Sequence, residues 1–184
     1  MIYPHTEWRP TYFVCVTLNV QRPDWNRDIM ASVDLGIDTF AWEAYSEHFG
    51  DRDVHYVRCS HGTELTPVAD PDWWSDDIAD RVCKFGTSML AAIQIAAYMG
   101  FSELCLLGCD LGFRDGDPGA DPNHFDPNYG TPGFDSTSLN MNMLAAHRLA
   151  LSALTGRGVR IVNATRGGFL DVFERCSLES LLAR

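Results

Sequence analysis

The stretch that most constrains the fold is GTSMLAAIQIAAYMG, residues 86–100. Thr87 and Ser88 are helix-capping residues, and Gly100 is a helix stop. Between them, apolar side chains occupy nearly every side of the predicted helix, so it must be buried on more than one face. Such a helix needs layers around it. Leu104 to Leu107 follows as a short strand that ends in Gly108-Cys109-Asp110.

The rest of the chain alternates in the same way. Thr11 to Leu18 (TYFVCVTL) is rich in β-branched and aromatic residues and reads as a strand. Pro23 and Asp24 open a helix, with Trp25, Ile29 and Val33 at helical spacing and Gly36 as its stop. Asp53 to Cys59 is a second strand, and Thr63 to Asp80, with Pro67, Pro71, Trp73 and Trp74, is an irregular excursion. Ser138 to Leu154 is a helix, Val159 to Val162 a strand, and Leu178 to Leu182 a short terminal helix. Strands and helices alternating at these lengths imply an α/β fold with a mostly parallel sheet and helices on both faces. At 184 residues the chain fits a single domain, 1–184, that needs no disulfide or metal staple.

Composition narrows the function classes. The chain has 25 acidic and 14 basic side chains, a net charge of -11, and Lys84 is its only lysine. That balance argues against nucleic acid as a partner, because such binding gains affinity by neutralising phosphates. No apolar run is long enough for a membrane span, and no secretory leader opens the chain. The six cysteines show no C-x-x-C and no second pair for a zinc site; Cys15, Cys59 and Cys105 sit in apolar, strand-like stretches. We read them as buried free thiols in a reducing compartment, which places the chain in the cytoplasm.

Four segments carry candidate chemistry. Gly86-Thr87-Ser88 at a helix start offers free backbone N–H groups and two hydroxyls to an anion, although simple capping is the favoured use of such residues. A segment of nearly thirty residues from Asp110 to Ser138 follows a strand's carboxyl end, where open α/β sheets bind ligands. Within it, His124 can act as a general base beside Asn123, Asp121 and Asp126, or hydrogen-bond locally, and Tyr129 is one of several aromatics that favour an ordered loop. The aspartates at 110, 115, 117, 121, 126 and 135 could hold Mg²⁺ with a diphosphate, but a solvated acidic loop is favoured and no metal site is assigned. Asn163-Ala164-Thr165-Arg166-Gly167-Gly168 follows the last strand; its glycines permit close backbone approach, and Arg166 can grip a phosphate or carboxylate, or lie on a tight turn. His147 reads as a packing or surface residue.

The runs GTSMLAAIQIAAYMGFSELCLLGCDLGF, DPNHFDPNY and GVRIVNATRGGFLDVFERCSLESLL, with WRPTYFVCV at residues 8–16, resemble the bacterial DUF115 family, also called MptE-like. The resemblance covers nearly the whole chain. It implies a Rossmann-like three-layer sandwich that lacks the first strand and glycine-rich phosphate-binding turn of relatives. It also implies kinship with family 42 sialyltransferases and motility-associated flagellin glycosylation factors. By that likeness Thr87 and Ser88 contact the CMP part of a CMP-linked sugar and His124 is the general base, with Gly86 and Asp110 expected beside them at the nucleotide. Asn123, Tyr129, Asn163 and Arg166 contact substrate or phosphate. Where the sialyltransferases carry tyrosines near the strand end, this chain reads Gly-Cys-Asp-Leu-Gly-Phe, and Tyr129 is the next tyrosine. The implied activity is a glycosyltransferase-like one on a glycan or protein acceptor, without an obligatory cofactor. The alternatives are an ATP-dependent pterin pyrophosphokinase, which needs Mg²⁺, and a non-catalytic nucleotide-binding or interaction module; a homo-oligomer is left open.

Overall fold

A computed structural model describes residues 7–17, 23–60, 74–83, 87–112, 123 and 136–183. In chain order the elements are β1 (Tyr12–Cys15), α1 (Pro23–Val33), β2 (Asp38–Trp42), a 3-10 turn (Glu43–Tyr45), α2 (Ser46–Phe49) and β3 (His55–Val57). Then come α3 (Ser88–Tyr98), β4 (Glu103–Leu106), α4 (Ser136–Thr155), β5 (Arg160–Asn163), β6 (Glu174–Arg175) and α5 (Leu178–Leu182). The chain has an α/β fold with two small sheets, ordered β1-β2-β3 and β4-β5-β6, in which every pairing is parallel. The arrangement is Rossmann-like, and among the described residues the expected sheet is present as two three-stranded ones. No described helix is long and apolar enough to cross a membrane.

Strand alternation assigns the faces of the first sheet. Phe13, Cys15 and Ala41 turn to α1 and α2, where they pack with Ile29, Val33 and Phe49. Val14, Val16, Phe40, Trp42 and Val57 turn the other way and pack with Ala91 and Ile95 of α3. The second sheet presents Leu104, Leu106 and Ile161 to Met89, Ile93 and Ala97 of α3 and to Leu144, Leu151 and Leu154 of α4. Leu90 completes the circuit, packing with Ala146 and Ala150 of α4. The helix that was apolar all round therefore touches both sheets and α4.

The one polar side chain inside that helix has a specific use. Gln94 is 2% exposed, and its Oε1 accepts from Cys83 N–H at 2.7 Å. Its Nε2 donates to the carbonyls of Ser75 (2.7 Å) and Arg81 (3.0 Å). One amide thus satisfies three backbone groups of an irregular segment that has no ladder of its own. The segment also pairs through a single parallel bridge, Cys59 with Val82, and through an ion pair from Asp76 to Arg157.

Two strands escape the sequence pattern. β2 buries Thr39 and Ala41 on one face, and neither reads as a core residue. Thr39 is accommodated because its hydroxyl donates to the Ile37 carbonyl at 2.8 Å. β6 is two charged residues that pair with Val162 and Asn163. The described cysteines are all free, and Cys15, Cys59, Cys83 and Cys109 are buried as expected, but Cys105 is exposed. It alternates onto the outer row of β4 with Glu103, facing away from α3 and α4. On that outer face Arg160 bridges Glu103 and Glu174, tying the three strands together.

His147 packs on α4 at 3% exposure, edge-on to Phe173, and its Nδ1 lies 2.6 Å from the Met143 carbonyl. A carbonyl only accepts, so Nδ1 carries a proton in this contact. Burial pushes its pKa below the ordinary 6.5, against a smaller opposing effect of the Met143 bond.

Two outcomes are expected. Gln94→Leu strands three backbone groups and lowers unfolding free energy by about 2–4 kcal/mol in urea titrations. For His147 the folded pKa is the depressed one, so its contribution is fully present above the unfolded value near 6.5 and is lost as pH falls through the lower folded value. Stability measured from about pH 7 down to about pH 5 therefore declines, and His147→Gln removes that part of the decline.

Candidate functional site

β4 and β5 are parallel neighbours with Leu106 opposite Asn163, so their carboxyl ends release two loops side by side. The loops are stitched together at once. Ala164 N–H donates to the Leu106 carbonyl at 3.0 Å, and Cys109 N–H to Thr165 Oγ1 at 2.9 Å. Phe169 and Leu170 N–H both donate to the Asp110 carbonyl, at 2.6 and 3.0 Å. Asn140 of α4 accepts from Gly112 N–H at 3.3 Å, which ties the first loop to the helix layer.

Asn163 is at the centre of this knot. It is fully buried; its Nδ2 donates to the carbonyls of Cys109 (3.1 Å) and Leu170 (3.0 Å), and its Oδ1 accepts from Thr165 N–H at 3.0 Å. The side chain expected to touch substrate thus binds the chain's own backbone. From outside, Arg175 closes the second loop: Nη1 donates to the Leu170 carbonyl at 3.1 Å, and Nη2 to those of Thr165 and Gly167, each at 2.5 Å.

Two glycines are required by this closeness. Gly168 has φ +78°, and a Cβ there would lie 2.5 Å from Asp110 Cα and 2.6 Å from Asp110 Cβ. Gly112 has φ +108°, and a Cβ there would enter the Phe169 ring, 2.9 Å from Cε2. Of the paired glycines in the sequence, Gly168 is the one that permits one loop to approach the other. The contact leaves Phe169 69% exposed, its ring resting against Gly112 and its N–H held by Asp110. Sequence reasoning did not single out Phe169; an aromatic directly after a glycine pair at a strand's carboxyl end was the available signal.

The remaining candidates fall as follows. Thr87 caps α3 in extended conformation, its Oγ1 accepting from Met89 N–H at 3.2 Å, and Ser88 opens the helix half-buried. Met89 in that first turn belongs to the same core cluster as Cys109 and Leu111. Asp110 is exposed beside Cys109, whose thiol is pushed up to about 11 by burial and, secondarily, by the Asp110 charge. Asn123 is half-buried. Gly86, His124, Tyr129 and the aspartates at 115, 117, 121, 126 and 135 lie outside the described residues. Among the described residues no group of three His, Cys, Asp or Glu side chains is placed to hold a metal.

Arg166 is 92% exposed and pairs with Glu179 of α5 at 3.1 Å. Its own backbone N–H and then Arg166 hold the Glu179 carboxyl below the usual range. Between this pair and the turn after β5 opens a cleft of about 420 Å³, walled by Thr165, Arg175, Cys176 and Leu178 among others. The structure therefore brings Asp110, Asn163 and Arg166 to one edge, with only Asp110 and Arg166 presenting side chains outward.

Comparison with protein-family models, with curated proteins and with solved structures finds no match.

Gly168→Ala is expected to destabilise the chain by about 2–3 kcal/mol, because both the positive φ and the Asp110 backbone oppose a Cβ. Gly167→Ala, at φ +72° with open space around it, is expected to cost about 1 kcal/mol. Thermal unfolding of the two variants side by side checks the order.

Proposed function

We propose that the chain is a cytoplasmic, glycosyltransferase-like protein that binds a nucleotide sugar, CMP-linked, at the carboxyl ends of β4 and β5. Its acceptor would be a surface glycan or a protein such as flagellin. The observation that carries the reading is the edge itself. Two parallel strands end in loops locked by Asn163, Gly168 and Arg175, and an exposed aromatic, Phe169, rests against Gly112 with its N–H held by the Asp110 carbonyl. An open α/β sheet offers its ligand site at this edge. A flat exposed ring is a stacking surface for a nucleobase.

In this reading Gly86, Thr87 and Ser88 cradle the nucleotide phosphate with backbone N–H groups at the start of α3. His124, within Asn123-His124-Phe125, takes the proton of the acceptor hydroxyl as that oxygen attacks the sugar carbon. The bond from that carbon to the phosphate oxygen breaks with inversion, and CMP leaves as the anion, stabilised by donors around the phosphate. Asn123 and Tyr129 contact substrate, and Arg166 is available to a phosphate or carboxylate. No metal is required by these steps.

A second reading has its own support. Thr87, Asn163 and Gly168 are already engaged in holding the fold, which is what a binding module without catalysis would retain.

Thermal unfolding with CMP, CDP, UDP and ATP-Mg²⁺ tests the proposal. A ligand at 100 times its Kd adds about 2.7 kcal/mol, or roughly 5–10 °C in Tm at this size. A CMP-selective rise without metal is expected, reduced in Phe169→Ala. His124→Ala is expected to keep that rise and lose transfer. A rise that demands ATP and Mg²⁺ selects pyrophosphoryl transfer, and no rise with any nucleotide sinks the nucleotide reading.

A further inference from the structure

The cleft between the turn after β5 and α5 has a chemistry of its own. Its ionic lining is two cations and one anion, Arg166, Arg175 and Glu179, on a chain whose net charge is -11. An anion repelled by most of this surface meets a local excess of positive charge here.

The two arginines are held differently. Arg175 is fixed: it donates three hydrogen bonds, all to carbonyls of the 165–170 loop. Those carbonyls carry no formal charge, and among the described residues no carboxylate lies within ion-pair distance of Arg175 and nothing accepts from its Nε–H or its second Nη1–H. Arg166 is the opposite case, 92% exposed and held by one bond to Glu179. An exposed pair of this kind is a weak latch that a better-placed anion displaces.

The other walls fit an organic anion of modest size. Ala164, Cys176 and Leu178 line it together with Thr165 and Ser177, whose hydroxyl oxygens accept from Cys109 and Ser180 N–H. About 420 Å³ is within the range of small-molecule sites and exceeds the need of a bare ion.

We propose that this cleft binds a small organic oxyanion, a carboxylate or a phosphate monoester, on Arg166 and Arg175, with Glu179 as the built-in competitor. The ligand's oxyanion takes the place of the Glu179 carboxylate on the Arg166 guanidinium, and Arg175 supplies the fixed second charge. Glu179 sets the threshold: only an anion that engages both arginines outcompetes it. The proposal shares Arg166 with the nucleotide reading but does not depend on it, since a chain that binds no CMP can still bind an anion here.

The test is a titration of the full chain, ¹⁵N-labelled, followed by NMR with glycerol 3-phosphate and, separately, D-glucuronate, each against sodium chloride at equal ionic strength. Saturable shifts of the Arg166 and Arg175 Nε–H signals and of the 176–179 amides are expected with at least one anion, and which anion does so tells phosphate from carboxylate. Arg166→Gln weakens that binding about tenfold, and Glu179→Gln tightens it about threefold or more. Both side chains are exposed, so the variants fold. Absence of saturable shifts with both anions overturns the proposal, as does binding that Arg166→Gln leaves unchanged or Glu179→Gln weakens. Thermal shifts with CMP on the same samples score the nucleotide reading independently.

Discussion

The structure depends on the burial of α3 from every side. A helix of eleven residues has room for about three turns of contact, and here each turn is divided among three partners. Ala91 and Ile95 serve the first sheet, Met89, Ile93 and Ala97 the second, and Leu90 faces α4. Neither sheet is wide enough to bury a continuous core by itself, so the helix is the common wall of both. Gln94 extends the same wall to a segment without regular structure by replacing three missing ladder bonds with one side-chain amide. Burying that amide is favourable because its oxygen and both its N–H groups are partnered.

The second dependency is the knot at the carboxyl ends of β4 and β5. Loops at such an edge are ordinarily the adaptable part of an α/β domain. Here they are bound to each other through Asp110, Thr165 and Asn163, and fastened from outside by Arg175. Rigidity there separates two kinds of residue. Asn163, Gly168 and Thr165 hold the edge in place, whereas Phe169, Asp110 and Arg166 stand out from it.

Much of the fold was legible because burial leaves a periodic trace. The all-round apolar helix, its Thr87 cap and Gly100 stop, the strand before Gly108 and the terminal helix 178–182 all follow from pattern and punctuation. β2 was not legible, because its buried row is Thr39 and Ala41 and carries no hydrophobic alternation. β6 was not, because two charged residues become a strand only when β5 is already there to pair with. The turn after β5 was legible as a special turn, but the work of its side chains was not. The sequence shows that Asn163 and the glycine pair mark a special turn, yet an asparagine that binds three backbone groups and one that binds substrate look alike until the fold is known. Phe169 was missed for the converse reason: exposure, which makes it interesting, is a property of the folded surface.

Cation placement adds a constraint of a different kind. With 14 basic against 25 acidic side chains, carboxylates are never scarce around an arginine on this surface. Arg52 with Asp34, Arg58 with Glu43, Arg81 with Asp80 and Arg157 with Asp76 show the expected result. Arg160 holds two glutamates at once. Arg175 departs from this pattern, spending its guanidinium on neutral carbonyls in a molecule rich in acids. A clamp for a loop needs only donors, and a neutral asparagine or glutamine could supply some of them. A full positive charge kept beside a cleft, with Glu179 drawn to Arg166 on its far side, is what a surface selected for an anion would retain.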